Sequence, residues 1–237
     1  MKVKNAIWTA GLILASGSAL AQEDMGFNDS SVSLGFVGTT GNTDTQTFNL
    51  EFKTAYKTEH WLHTLKFQGL GSQEDSSTTA ERYYLENKSD YALKEDQYLF
   101  AKGNYTDDRF SGFNYQAAAS VGYGRYFFRQ DNFSLEGFGG AGYRQNDVID
   151  AGSNGEAIIS LGENLTWKLT EWASLTQSLT SEIGETLTIT RFEVGLVSNI
   201  IDRISTKIAF QARNTSQVPA GNKKTDTQTS ISLVYTF

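Results

Sequence analysis

Apolar and polar residues alternate along most of the chain with a period of two. Every second residue from Ile231 to Phe237 is apolar or aromatic, and the same holds from Phe48 to Phe52. Successive side chains of a β-strand point to opposite faces, so this pattern predicts strands with one apolar and one polar face. The alternation recurs, interrupted by polar clusters, almost to the end of the chain.

Twelve strands are predicted, and most of them run 13 residues or more. Strands of globular proteins average about 5–6 residues, whereas long strands of alternating polarity are typical of transmembrane β-barrels. A sheet within lipid must close on itself, because lipid offers no partner for free N–H and C=O groups. The predicted fold is therefore all-β, a closed antiparallel transmembrane β-barrel of about twelve strands. The predicted strands are 31–40, 44–57, 60–73, 79–92, 97–110, 113–128, 133–147, 156–169, 172–184, 186–200, 203–215 and 225–237.

The predicted connections are of two kinds that alternate. Tight charged turns follow the even strands, while the connections after odd strands include the longest loops, at 74–78, 148–155 and 216–224. Outer-membrane barrels have short periplasmic turns and longer extracellular loops, so an even strand count places both termini in the periplasm. Aromatic residues flank the turns and predict a periplasmic girdle. They are the pairs Tyr56/Trp61, Phe127/Phe133 and Trp167/Trp172, with Tyr235 and Phe237.

Residues 1–21 are typical of a cleaved signal peptide. Two lysines precede an apolar run at 6–15, and Ala19-Leu20-Ala21 matches an A-x-A cleavage site. The run is about half the ~20 apolar residues that span a bilayer. We therefore expect export and a mature barrel of residues 22–237 located in the cell outer membrane.

Composition narrows the function classes. The chain has one Pro, where about 5% is usual, so almost every backbone N–H is available for pairing. It has no Cys, so disulfides do not stabilise it. A net charge of −7 argues against nucleic acid as a partner, because phosphate binding needs a basic surface.

Three segments resemble known families. Residues 231–237 resemble the terminal strand of Gram-negative outer-membrane proteins, which implies that Leu233, Tyr235 and Phe237 are the signal read by the barrel assembly machinery. Residues 41–50 and 225–229 resemble the salt-induced outer-membrane protein family, and the resemblance covers nearly all of the mature chain. It implies a role in osmotic or salt stress and supplies no catalytic residues. The expected partners are outer-membrane lipid and the assembly machinery, and we expect a monomer.

The charged residues of the polar faces are the main candidate site. Ten basic and six acidic side chains are predicted to line the lumen, a surplus of four positive charges that would favour anions. Mutual ion pairing that fills the interior is the alternative, because a twelve-stranded barrel lies between the filled and the open sizes. The sequence therefore predicts a narrow channel for small polar or anionic solutes, or else a closed structural barrel. The candidates are Lys53, Lys66, Arg82, Lys88, Lys102, Arg144, Lys168, Arg191, Lys207, Arg213, Glu51, Glu86, Asp90, Glu136, Glu182 and Glu193.

A metal site, a hydrolase site and a phosphate-binding loop are less favoured. Asp44 and Asp226 stand in a repeated Thr-Asp-Thr-Gln-Thr, but strands 2 and 12 would be about 9.6 Å apart, too far to share one Ca²⁺, so turn formation is the preferred interpretation. His60 and His63 are the only histidines, and His63 is predicted to face lipid, which disfavours an outer-membrane hydrolase. The glycines at 137–142 precede no predicted helix, so they favour close packing rather than a phosphate loop. We expect neither enzymatic activity nor a cofactor or metal.

Two positions conflict with strict alternation. Glu163 shares the predicted lipid face with Leu161 and Leu165, and the apolar face of strand 10 changes between Ile189 and Phe192. We expect a β-bulge as the cause of either conflict.

Overall fold

The computed structural model describes residues 26–39, 45–75 and 77–237. The predicted signal peptide, 1–21, and Asp44 lie outside these residues. None of the described residues forms a helix long and apolar enough to cross a membrane. Twelve strands are present in the described part of the chain: β1 (Gly26–Thr39), β2 (Thr45–Lys57), β3 (Trp61–Glu74), β4 (Ser77–Lys94), β5 (Gln97–Asp108), β6 (Phe113–Arg129), β7 (Phe133–Val148), β8 (Gly152–Lys168), β9 (Ala173–Gly184), β10 (Thr188–Ile201), β11 (Ile204–Thr215) and β12 (Thr225–Thr236).

The strands form one closed antiparallel barrel in which each strand pairs with its sequence neighbours and β1 pairs with β12. This confirms the predicted fold class and strand count. The largest differences are at strand starts: β1 begins at Gly26 rather than 31, and β8 at Gly152 rather than 156. The closing seam is the shortest pairing, with five register pairs from Ser31↔Thr236 to Gly35↔Ser232.

Connections are short at both rims, which corrects the predicted loop lengths. The loops expected at 74–78 and 148–155 are shortened, because β4 begins at Ser77 and β8 at Gly152, and of the connections whose residues are all described 216–224 is the longest. Asp75 and Asp150 adopt positive φ there, a conformation that Asp tolerates in tight turns. We name the rim that carries Phe237 and the turn 58–60 the terminal rim, and the rim that carries 216–224 the loop rim.

Apolar side chains cover the outside of the barrel. Phe36, Val121 and Ile231, at different positions around the wall, are each about 60% exposed or more. The side chains that point inward are mostly polar, so the polarity of this fold is the reverse of that of a water-soluble sandwich.

Aromatic contacts cluster near the terminal rim, and Phe133 does not pack as the predicted pair Phe127/Phe133 would have it. A register shift between Tyr126 and Phe128 makes Phe127 an extra residue, so Phe133 packs against Phe128 with ring centroids 5.8 Å apart. Tyr126 instead packs inside the barrel against Tyr98. The β-bulge therefore changes which aromatic residue takes part in the pair.

Candidate functional site: the charged lumen

Strand register defines which charged residues share the inner face. Lys53 lies directly opposite Lys66, and Lys88 directly opposite Lys102. Residues paired in register project to the same side of a sheet. Of the sixteen predicted lumen residues, fourteen contact other polar or aromatic side chains; Lys53 lines the cavity with an exposed side chain, and Lys168 is exposed at the terminal rim. The fourteen are Glu51, Lys66, Arg82, Glu86, Lys88, Asp90, Lys102, Glu136, Arg144, Glu182, Arg191, Glu193, Lys207 and Arg213.

Four of these residues form an ion quartet, which we define as Glu51, Lys66, Glu193 and Lys207. Lys207 Nζ lies 3.1 Å from Glu51 and 2.7 Å from Glu193. Lys66 Nζ lies 3.6 Å from Glu51 and 3.4 Å from Glu193. Each carboxylate therefore faces both lysines, and charges alternate around the group.

The ion quartet crosses the lumen. Lys66 is on β3 and Glu193 on β10, and four other strands separate these two along the shorter way round the barrel. Two amides complete the group, since Gln68 donates to Glu51 at 2.7 Å and Gln211 donates to Glu193 at 3.0 Å. The barrel is thus bridged at this level by hydrogen-bonded ion pairs.

A second, more deeply buried group involves an acid that the sequence analysis missed. Arg144 is 1% exposed and contacts Glu156 at 2.6 Å. Glu182, also 1% exposed, accepts a hydrogen bond from Asn104 at 2.7 Å and lies 3.4 Å from Arg191. Glu156 is the first residue of the predicted strand 8 and shares the inner-face parity of Ser160, the register partner of Glu182, so parity alone would have found it.

A third bridge crosses the barrel near the loop rim. Arg213 on β11 contacts Asp108 on β5 at 3.1 Å and also donates to Gln116 on β6. Asp108 was also missed, although it has the parity of Lys102 within a predicted strand. With Asp108 and Glu156 included, the predicted surplus of four positive charges falls to two.

Aromatic rings fill the terminal-rim side of β5 and β7. Lys88 lies 2.7 Å from Asp90 and 4.5 Å from the centroid of the Tyr98 ring. The Tyr98 hydroxyl donates to Glu136 at 3.2 Å. The ring fits because β6 has Gly124 beneath it, where a Cβ would lie 2.2 Å from the ring. Here a glycine allows close packing, the role predicted for the mid-strand glycines of β7.

An apolar cluster lies inside the barrel near the loop rim and resolves the conflict in strand 10. It comprises Phe113, Leu187 and Ile189, with Val148 packed against it. Register runs without interruption from Thr188 to Ser198, so the expected β-bulge is wrong for this strand. Ile189 points inward and is fully buried because it has this apolar cluster to pack against.

Glu163 lies on the outer face, and the β-bulge expected there is absent too. The β7–β8 pairing is regular from Phe133↔Trp167 to Val148↔Gly152. Gln177 on β9 donates to the Glu163 carboxylate at 2.7 Å, which satisfies one of its oxygens on a surface otherwise rich in apolar side chains. A carboxylate on this face costs less than a Lys or Arg would.

The histidines lie away from the charged lumen. His63 shares the outer face with Trp61, whose ring stacks on it at 5.5 Å, and it bonds Ser89 at 2.8 Å. His60 occupies the turn 58–60 and stacks on Tyr91. No group of three or more His, Cys, Asp or Glu side chains suited to a metal occurs among the described residues. The Ser89 hydroxyl that contacts His63 lies with it on the outer face, away from the charged lumen.

A cavity of about 830 Å³ runs between the bridges. Its lining extends from Lys53 and Thr166 near the terminal rim to Phe110 and Lys223 near the loop rim. Nine basic and six acidic residues contribute to the lining, so basic residues are in excess.

The fold and this interior together define a twelve-stranded barrel of the outer-membrane type, with an apolar outer wall and a charged lumen. Residues 32–237 match the family described as protein of unknown function, DUF481, and the chain belongs to this family. A relative, the uncharacterized protein YdiY of Escherichia coli strain K12, is 26% identical over 215 residues, which cover 88% of this chain and 83% of the relative.

Solved outer-membrane barrels have a similar fold. The NanC porin has a TM-score of 0.52 at 10% identity, covering 88% of this chain and 98% of the porin. The COG4313 outer membrane channel from Pseudomonas putida F1 has a TM-score of 0.51 at 14% identity, covering 94% and 98%. The translocator domain of autotransporter NalP from Neisseria meningitidis has a TM-score of 0.50 at 13% identity, covering 90% and 89%. At these identities the similarity concerns the fold alone.

Proposed function

We propose that the protein is a narrow channel of the Gram-negative outer membrane that passes small polar solutes and favours anions. The observation that carries the proposal is the cavity of about 830 Å³, whose lining reaches from one rim to the other. Ion pairs bridge the lumen, so we expect the passages beside them to be narrow. We therefore expect a conductance well below that of barrels with 16–18 strands, which enclose open aqueous channels.

The unpaired cations support the preference for anions. Within the described residues that line the cavity, Lys53, Arg82 and Lys223 have no carboxylate partner, so their charge remains available to a passing solute. The charge of Lys66 is not available in this way, because Lys66 lies between both carboxylates of the ion quartet. Charges inside a wall of low dielectric constant act strongly on ions in transit.

Planar-bilayer recording of the purified mature barrel in a KCl gradient tests the proposal. We expect small open steps whose reversal potential indicates chloride preference, and a shift towards cation preference in the double variant Lys53→Glu/Arg82→Glu. Lys168→Glu is the matched control, because Lys168 is exposed at the terminal rim and does not line the cavity. Open steps whose selectivity is unchanged in the double variant would refute the assignment of these residues.

A closed barrel without transport is the second candidate, and the cross-lumen bridges favour it. The ion quartet, the contacts of Glu182 with Asn104 and Arg191, and the Arg213–Asp108 pair together connect opposite walls. Silent bilayers, with protein shown to be inserted by its heat-modifiable gel mobility, would favour this candidate over the channel.

We also propose three biological properties. The resemblance of residues 41–50 and 225–229 to salt-induced outer-membrane proteins supports a role in salt or osmotic stress, which growth of a deletion strain in high salt would test. Leu233, Tyr235 and Phe237 all lie on the outer face of the barrel, which leaves them accessible to the assembly machinery during insertion. Export by a cleaved signal peptide predicts that the mature protein begins at Gln22.

A further inference from the structure

Three arginines face the loop-rim half of the cavity, and we name Arg82, Arg191 and Arg213 the arginine cluster. Arg191 and Arg213 are direct register partners on β10 and β11. Like charges directly opposite on neighbouring strands repel each other. Arg213 has Asp226 as its other register partner and binds Asp108 at 3.1 Å. Two arginines opposite each other therefore need further negative charge nearby to offset their repulsion.

The carboxylate that faces Arg191 is shared with other cations. Glu182 lies 3.4 Å from Arg191, 3.7 Å from Lys102 and 3.9 Å from Arg144. Three cations thus share one carboxylate. Of the three, only Arg144 has another acid at shorter distance, Glu156. Arg191 therefore has no carboxylate to itself within ion-pair distance.

Arg82 has a neutral partner in place of an acid. Its Nη2 reaches across the lumen to Gln228 Oε1 at 3.3 Å. Gln228 is two residues along β12 from Asp226, the register partner of Arg213, so Arg82 ends close to the level of Arg213. Arg213 itself is 92% buried, and its Nε has no hydrogen-bond partner among the described residues.

We propose that the arginine cluster is a binding site for a small oxyanion, the chemistry that phosphate-bearing solutes present. Guanidinium groups bind such oxygens with paired N–H donors, and the hydrogen bonds are strengthened by charge. Arg82 forms no ion pair among the described residues, because its register partner Asp108 is bonded to Arg213, and an oxyanion between Arg82 and Arg213 would offset the repulsion within the cluster. The inference deepens the proposed function and rests on it, because it names the binding site on the anion path.

Titration calorimetry of the purified barrel in detergent at low salt, with inorganic phosphate as the probe, tests the site. We expect saturable binding with one phosphate per barrel. Arg82→Gln should weaken it about ten- to a hundredfold, which corresponds to the loss of one hydrogen bond between charged groups. Arg82→Lys keeps the charge but loses the paired donors, so we expect an intermediate affinity.

Two further variants separate a site from a general positive field. Asp226→Asn should strengthen phosphate binding, because it removes an exposed carboxylate that lies opposite Arg213 and attracts the same guanidinium. Arg109→Gln is the matched control: it makes the same guanidinium-to-amide change on an exposed residue of the loop rim, and it should leave phosphate affinity unchanged. Heat-modifiable gel mobility establishes that each variant folds.

The outcomes distinguish this inference from the channel proposal. An absence of saturable binding, or an equal loss of affinity in Arg82→Gln and Arg109→Gln, would overturn the oxyanion site. Conductance with chloride preference but no phosphate binding would refute the site and retain the channel. Saturable phosphate binding sensitive to Arg82→Gln, in a barrel that gives no open steps, would retain the site and refute the channel.

Discussion

The ion quartet provides a quantitative test of how strongly water screens charges in the lumen. The perturbation is a double-mutant cycle on Lys66 and Glu193, which lie 3.4 Å apart across the lumen with side chains 25% and 17% exposed. Exposed ion pairs contribute about 0.2–1 kcal/mol, whereas removing one partner of a buried pair costs about 3–5 kcal/mol. Lys66→Ala leaves Glu193 bonded to Lys207 at 2.7 Å, which limits the loss. We therefore expect each single variant to lose about 2 kcal/mol of unfolding free energy, with a coupling of about 1–1.5 kcal/mol.

Equilibrium unfolding by urea in detergent micelles, followed by tryptophan fluorescence, supplies the four free energies of the cycle. The control cycle uses Arg109 and Glu81, whose 3.0 Å contact is shorter but whose side chains are 70% and 35% exposed. Burial rather than distance should decide the result, so the control coupling should stay below about 0.5 kcal/mol. A quartet coupling no larger than the control would refute the reasoning, because it would show that water screens the lumen at this level.

Two further predictions concern packing inside the wall, and each is read as a change in the urea midpoint. Gly124→Val should destabilise the barrel by about 1–3 kcal/mol or more, because a Cβ at this position would lie 2.2 Å from the Tyr98 ring. Gly71→Val should cost little in packing, because nothing lies within 4 Å of its Cβ position. Equal effects at the two glycines would argue against a filled interior. Ile189→Ala should cost about 2–5 kcal/mol because Ile189 is fully buried inside the barrel. Ile231→Ala, on the outer face at 59% exposure, is its comparison, and a larger loss at Ile231 would contradict the inward placement of Ile189.

The strands and their faces were predictable because the signal is local. A period of two assigns each side chain to one face of its strand, and strands longer than those of globular proteins require a large, closed sheet. The same parity correctly placed Glu163 on the outer face, and the β-bulge invoked to remove it was wrong. The predicted pair Phe127/Phe133 was wrong, because an extra residue in one strand shifts the register of the pair and leaves no clear trace in the alternation.

The contacts of the lumen were decided by the tertiary structure. Parity places Arg213 and Lys66 inside, but it contains no information on which residue meets them across the barrel. That depends on strand tilt, on stagger and on where the sheet closes, and these bring Arg213 of β11 to Asp108 of β5. Ile189 shows the same limit, because an apolar residue on a polar face is explained only by neighbours that distant strands supply. The sequence by itself determined the barrel and the polarity of its two surfaces. Closure of the barrel decided which of the described charges form ion pairs, because it sets which strands face each other across the lumen.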